Sequence, residues 1–189
     1  ATSPDSLPKQ DRKQDIQLTL AFFSVQLPQF SYASPTTSFV KINGDSLHPL
    51  IISDALKHNV YFLNRRLEIK DSVHYGPVVD IDFMRDKMLA CDIGVLNPNN
   101  GKFGKAQFIS HEHGKMAVDS TPLFRDLRRP VQISPIDLNN DGREDYVVCE
   151  FGNLLGALSW MENVGNNRFT RHVLRASPGA IKAYVNDYN

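Results

Sequence analysis

Residues 137–145 have the composition and spacing of a loop that binds a metal ion through oxygen atoms. Side-chain oxygens stand at positions 1, 3, 5 and 9 of this stretch, on Asp137, Asn139, Asp141 and Asp145. The backbone carbonyl of Arg143 is available at position 7. Hard oxygen donors at this spacing suit calcium. Three carboxylates held within about 5 Å would repel one another by roughly 1 to 4 kcal/mol per pair, so we expect a divalent cation to order the loop.

The loop is not an EF-hand, because its position 12 is Val148, in the middle of a predicted strand, instead of a bidentate Glu. Gly142 at position 6 allows a sharp bend, since a residue without Cβ takes positive φ freely. The alternative is a metal-free hairpin turn, because Asp, Asn and Gly are favoured in turns in any case.

The elements around this loop are predicted to be strands. Short runs rich in Val, Ile, Phe, Tyr and Thr alternate with clusters of Gly, Asn, Asp and Pro. Three runs share an apolar sequence closed by an acid, at residues 50–54, 88–92 and 146–150. One further strand is predicted before each run and two after it. Around the first run these strands are 38–42, 59–63 and 68–74; around the second they are 77–83, 105–110 and 116–123; around the third they are 130–137, 156–163 and 169–174. This pattern predicts a repeated unit of four strands.

The repeats define the predicted domain organisation. Units are expected at residues 36–76, 77–129 and 130–179, with the start of a fourth at 180–189, after an N-terminal extension (1–35) that could add an outer strand. Their length and strand number suit propeller blades. The second strands are apolar almost throughout, as expected of strands covered on both faces. We therefore predict an all-β fold, a β-propeller or partial propeller of four-stranded antiparallel blades, with a β-sandwich as the alternative.

The third unit resembles a known repeat. The sequence DLNNDGREDYVVCEFG followed by GALSWMENVGNNRF is similar to the VCBS repeat of the FG-GAP and VCBS superfamily. The resemblance covers residues 130–174 well. It is weaker over 77–127, where Asp80, Asp82 and Asp86 remain but the Asp-Gly turn is missing. Over 36–76 only the spacing of the strands is similar. The Phe151-Gly152 pair follows the loop, where an integrin-type repeat would have Gly-Ala-Pro, so the resemblance favours the bacterial VCBS side.

The resemblance implies a calcium-stabilised, non-catalytic β-propeller module outside the cytoplasm: secreted, periplasmic or at the cell surface. It implies a scaffold that binds a carbohydrate or protein ligand. The alternative is part of a secreted polysaccharide-active or redox enzyme, since in some relatives that share the runs at 3–8 and 36–42 a c-type cytochrome domain lies upstream. We expect the chain to be a fragment whose export signal is already gone, because it lacks an initial Met and stops in a second copy of the loop.

Composition narrows the choice of partners. Lys plus Arg and Asp plus Glu number 21 each, so no net field draws the chain onto nucleic acid or an anionic membrane. We expect no nucleic-acid partner and no membrane span. Three blades and part of a fourth cannot close a ring, so we also expect self-association through open β edges.

Other polar residues have a functional and a structural interpretation. Asp54, Asp92 and Glu150 close successive second strands, so they could ring one mouth of a channel, or each could cap its own strand. His111 and His113 would point to the same side of a strand and could hold zinc or copper, although a solvated hairpin end is the simpler interpretation.

Two cysteines and one aromatic pair complete the set of candidates. Cys91 and Cys149 occupy equivalent places and are expected to be buried free thiols instead of a disulfide. Trp160 and Met161 could form a sugar-stacking platform, or alternate between a blade interface and the surface.

Overall fold

Three antiparallel sheets follow one another along the chain in the computed structural model, which describes residues 36–39, 50–64, 66–84, 87–112 and 115–186. The first sheet contains β1 (Thr36–Phe39), β2 (Leu50–Asp54), β3 (Asn59–Leu63) and β4 (Ile69–His74). The second contains β5 (Val78–Met84), β6 (Lys87–Asp92), β7 (Gly104–Glu112), β8 (Lys115–Val118) and β9 (Phe124–Leu127). The third contains β10 (Pro130–Ile136), β11 (Asp145–Glu150), β12 (Ala157–Asn163) and β13 (Phe169–Arg175).

The predicted all-β class is confirmed, since the described ranges contain strands, turns and loops without a helix. None of the described residues forms a helix long and apolar enough to cross a membrane. Within the same ranges the sheets do not close on themselves, so the choice between a propeller and a sandwich stays a prediction. The N-terminal extension, residues 1–35, lies outside the described residues.

The strands β1–β4, β5–β8 and β10–β13 are each in sequential order, as expected for meanders joined by hairpins. In the first sheet, β1 covers Thr36–Phe39 where a strand at 38–42 was predicted, and residues 40–42 lie outside the described residues. In the second sheet the predicted single strand at 116–123 is not formed. β8 instead ends at Val118, and an additional strand that was not predicted, β9 at Phe124–Leu127, pairs with the other end of β7. Pro122 interrupts the run, and a proline cannot donate to a strand ladder.

The second and third sheets share an irregularity at the same place. A bulge interrupts the pairing of the first strand with the second, just before Asp80 in β5 and just before Gln132 in β10. Directly after the bulge, Asp80 stands opposite Cys91 and Gln132 stands opposite Cys149. Asp80 and Gln132 therefore occupy equivalent positions in successive sheets.

The core consists of two apolar clusters separated by the second sheet. Met88 and Ala90 of β6 pack into the cluster shared with the first sheet. Leu89 and Cys91 of the same strand pack into the cluster shared with the third sheet. Because successive side chains of a strand point to opposite faces, the continuous apolar run of β6 is covered on both sides. This arrangement confirms the expectation for that strand.

One side chain on β5 and one on β10 each accept a hydrogen bond from the backbone of the segment that follows, and we call these two contacts inter-sheet rungs. β5 packs against both β1 and β10. The carboxylate of Asp80 accepts a hydrogen bond from the backbone N–H of Ile133. At the equivalent position, Oε1 of Gln132 accepts a hydrogen bond from the N–H of Ala183 at 2.6 Å. The segment around Ala183 therefore lies beside β10 as β10 lies beside β5.

Candidate functional site

The oxygen-rich loop joins β10 to β11 in the third sheet, and most of it is exposed. Two of its residues have left-handed backbone conformations, Asn140 with φ of 58° and Gly142 with φ of 79°. A Cβ on Gly142 would meet no atom within 4 Å, so the backbone angle and not the available space favours glycine there. Asn tolerates this region better than most residues do.

The first three oxygen-bearing side chains of the loop turn onto its own backbone. The two carboxylate oxygens of Asp137 accept hydrogen bonds from the N–H groups of Asp141 (3.0 Å) and Gly142 (2.8 Å). Oδ1 of Asn139 accepts from the same N–H of Asp141 at 3.2 Å. Since Asp137 and Asn139 share one donor, their oxygens lie close together. The loop is thus curled around its first acid by local side-chain to backbone bonds.

Asp145 is fully buried and fixes the loop to the sheet. Its Oδ1 accepts a hydrogen bond from the N–H of Asn163 at 2.7 Å. Its Oδ2 accepts from the indole Nε1–H of Trp160 at 2.9 Å and from the N–H of Leu138 at 3.3 Å. A buried carboxylate needs such donors, so Asp145 joins the loop, β11 and the end of β12 into one unit.

Arg143 contributes a side chain that the sequence interpretation did not use. Its guanidinium forms an ion pair with the carboxylate of Asp141, and its Nε donates to the carbonyl oxygen of Asn163 at 2.6 Å. Desolvation acts to raise the pKa of Asp141, but the N–H of Arg143, the amide of Asn139 and the guanidinium hold that pKa below its usual value. The chain therefore supplies a cation of its own to this loop.

The donor set fits calcium in its chemistry, since every predicted ligand atom is an oxygen. The structure brings Asp137, Asn139 and Asp141 onto one curled backbone, whereas the carboxylate of Asp145 is turned towards Trp160 and Asn163. Among the residues that the structure describes, no group of three or more His, Cys, Asp or Glu side chains is arranged to hold a metal ion. Gathering all the predicted ligands therefore requires a rearrangement of side chains within the loop.

The acids at the ends of the second strands are buried, each with partners in its own sheet. Oδ1 of Asp54 accepts two N–H groups of the following turn, at 3.1 and 3.0 Å. Oδ1 of Asp92 accepts the N–H of Gly94 at 2.7 Å, and its Oδ2 lies 3.7 Å from Nζ of Lys105. Burial raises the pKa of Asp92, while the bond from Gly94 and the ammonium of Lys105 act to lower it.

Glu150 has the same kind of environment at the end of β11. Its Oε1 accepts a hydrogen bond from the N–H of Arg128 at 2.6 Å, and its Oε2 forms an ion pair with the guanidinium of Arg171. Asp54 and Asp92 thus satisfy amides of the turn that follows their own strand, and Glu150 satisfies an amide of the connection before β10. Bonding to loop amides favours the structural interpretation over a shared ring.

The histidine pair is only half described. The ring of His111 stacks on Phe62 of the first sheet with centroids 4.3 Å apart, and its Nε2 is buried without a hydrogen-bond partner. His113 lies outside the described residues. His111 therefore packs at the interface of two sheets instead of ending a solvated hairpin.

Cys91 and Cys149 are buried free thiols, as expected. Trp160 and Met161 point to opposite faces of β12: Met161 packs into the core between the second and third sheets, and Trp160 stacks on His172 at 4.6 Å. The alternation predicted for this pair is confirmed.

Sequence reasoning missed Asn163, whose carbonyl and N–H hold the side chains of Arg143 and Asp145. It lies 18 residues after Asp145, and no local spacing rule connects the two.

Comparison of the chain with protein-family models, with curated proteins and with solved structures found no match. The resemblance to the VCBS repeat therefore stays a prediction.

Proposed function

We propose that this chain is a calcium-binding segment of a β-propeller outside the cytoplasm, a scaffold that binds a carbohydrate or protein ligand and has no catalytic role. The observation that carries the proposal is a side-chain to backbone contact that recurs on β5 and β10. Asp80 and Gln132, at equivalent positions, each bond the backbone of the segment that follows. Repetition of the same contact, with the second sheet covered on both faces, is how blades stack and supports the relation to VCBS repeats.

The loop 137–145 is the calcium site in this proposal. The side-chain oxygens of Asp137, Asn139, Asp141 and Asp145 and the carbonyl of Arg143 would hold the ion. The curled backbone favours this assignment, because it brings the first three side chains together before any ion arrives. Binding would require Asp141 to exchange the guanidinium of Arg143 for the metal. The site would therefore be weaker than its carboxylates alone suggest, and would suit the millimolar calcium outside cells.

Trp160 provides a local reporter of binding. It is the only tryptophan of the chain, and its indole N–H donates to Asp145. We expect a calcium titration to change its fluorescence and to release or absorb heat in calorimetry, with both signals reversed by a chelator. The double variant Asp137→Asn, Asp141→Asn should lose both signals, since it removes two charges without changing side-chain size.

A matched control tests whether any lost acid has the same effect. Asp119→Asn removes a half-buried carboxylate that pairs with Lys87 outside the loop, and it should leave calcium binding unchanged. Flat heats and constant Trp160 emission at millimolar calcium in the parent chain would refute the metal site. Release of reducing sugar from a polysaccharide would refute the non-catalytic part of the proposal.

Self-association through open strand edges is a further part of the proposal. β13 is the outermost strand of the third sheet and exposes Val173 and Leu174. Unpaired N–H and C=O groups along such a strand can pair with another chain. Light scattering over a range of concentrations should show a rising mass, and a constant monomer mass would contradict this expectation.

A further inference from the structure

One edge of the molecule carries exposed apolar side chains from all three sheets. It is formed by the connections that follow β2, β6 and β11, at residues 55–58, 93–103 and 151–156. Each connection exposes at least one large apolar residue, and we call this set the apolar edge: Leu56, Val95, Phe103, Leu154 and Leu155. Phe103 and Leu154 are the most exposed, at 63% and 74%. An apolar set of this kind on adjacent loops indicates an interaction surface.

Hydrogen bonds hold these side chains in their exposed positions. Oδ1 of Asn100 accepts the N–H groups of both Leu154 (2.8 Å) and Leu155 (3.1 Å), so the connection of the second sheet fixes that of the third. Arg129 is buried beneath them and donates to the carbonyl oxygens of Leu96 (3.0 Å) and Gly152 (2.6 Å). The leucines are therefore fixed outward by the backbone.

Phe103 is held in a similar way. A Cβ on Gly101 would lie 2.1 Å from Cε2 of the Phe103 ring, so the ring lies directly against the backbone of Gly101. The absence of a side chain at Gly101 makes this contact possible, and the remaining surface of the ring is exposed. A ring fixed in this way has little conformational entropy left to lose on binding.

Charge is distributed unevenly between the two edges of the sheets. The three connections of the apolar edge contain two exposed lysines, Lys57 and Lys102, and no Asp or Glu. The opposite edge carries the loop of the third sheet, with Asp137, Asp141 and Glu144. Although the net charge of the chain is zero, the apolar edge is therefore basic and the loop on the opposite side is acidic.

We propose that the apolar edge docks onto an anionic membrane surface. Phe103, Leu154 and Leu155 would enter the boundary between headgroups and acyl chains, while Lys57 and Lys102 would face the lipid phosphates. The patch extends over three stacked sheets, and sheets pack about 10 Å apart, so its span is on the order of 20 Å. A flat, extended and negatively charged partner can contact all of these loops at once, whereas a short peptide or a small ligand would reach only one or two. The inference does not depend on calcium binding.

Vesicle binding tests the proposal on the whole chain. We expect it to sediment with phosphatidylcholine vesicles that contain phosphatidylserine, more weakly with phosphatidylcholine alone, and less as salt is added. The double variant Leu154→Ser, Leu155→Ser should bind the anionic vesicles roughly tenfold more weakly, because two exposed leucines would no longer be buried in lipid. Lys57→Gln with Lys102→Gln should reduce only the preference for the anionic lipid.

The matched control is Val164→Ser, which removes an exposed apolar side chain from the hairpin between β12 and β13, at the opposite end of the third sheet and beside the 137–145 loop. It should bind vesicles as the parent does. Melting curves will show that the variants are folded, since all the substituted side chains are exposed. The proposal is overturned if the folded parent fails to bind anionic vesicles at low salt, or if the control loses as much binding as the leucine variant. It is also overturned if the leucine variant abolishes self-association and leaves vesicle binding intact, because the edge would then join two copies of the chain.

Discussion

The charge of Asp80 should cost stability above about pH 6, and the substitution Asp80→Asn tests this. Burial raises the pKa of Asp80 from 3.8 to about 6, against the opposing influence of Lys182 and of the hydrogen bonds from Ile133 and Ile81. Because the folded state binds this proton more tightly than the unfolded chain, its stabilising effect is complete below about pH 4. That effect is lost as the pH rises through about 6.

The expected magnitude follows from the shift. Two pKa units correspond to about 3 kcal/mol, and partial exposure of Asp80 reduces this to about 1–2 kcal/mol. Asp80→Asn removes the charge and keeps an oxygen that can accept the N–H of Ile133, as Oε1 of Gln132 accepts that of Ala183. The third sheet thus already has a neutral amide at the equivalent position.

Urea unfolding followed by Trp160 fluorescence, at pH 5 and pH 8, provides the assay. The variant should be more stable than the parent at pH 8 by about 1–2 kcal/mol, with a smaller difference at pH 5. The converse substitution, Gln132→Glu, places a carboxylate at the buried equivalent position and should destabilise the protein more at pH 8 than at pH 5. If Asp80→Asn has the same effect at both pH values, or lowers stability at pH 8, the reasoning is wrong.

Three further outcomes can be measured. Gly152→Ala should lower the free energy of unfolding by about 2–4 kcal/mol. The φ of Gly152 is 63°, and a Cβ there would lie 1.9 Å from the carbonyl oxygen of Leu155. An unchanged melting temperature would contradict this prediction. Glu150→Ala should cost about 1–3 kcal/mol, because it leaves the half-buried N–H of Arg128 and the partly exposed guanidinium of Arg171 without their acceptor. An effect below about 0.5 kcal/mol would show that water replaces the carboxylate easily. Cys91 and Cys149 should react slowly with a thiol reagent at pH 8 until urea is added, since burial raises the pKa of both thiols. Rapid labelling of the folded chain would contradict the burial of these two side chains.

The strands could be predicted from the sequence because their signals are local. The run from Met88 to Asp92 is apolar at every position before its acid, and only a strand covered on both faces accommodates that pattern. The same logic located the strands that contain Ile51 and Val148. The strand β9 was missed, because a strand of four residues carries too little periodicity to be recognised.

The side-chain contacts of the loop 137–145 could be predicted only in part from the sequence. The spacing of Asp137, Asn139 and Asp141 indicated a curled oxygen-rich loop, and the structure has one. The pairing of the Arg143 guanidinium with Asp141 was not foreseen, because the spacing rule assigned only the Arg143 carbonyl. Asp145 finds its donors on β12, and such contacts depend on the sheet register, which local composition does not specify.

The inter-sheet rungs have a consequence for how this kind of chain can change over generations. A single side chain on β5 and one on β10 help to align each sheet with the segment that follows, so insertions in the outer hairpins leave that alignment untouched. One extra residue between the bulge and Gln132 would instead turn every later side chain of β10 to the wrong face. Lengthening by duplication should therefore proceed in whole sheets, each copied together with the residue that fastens it to its successor.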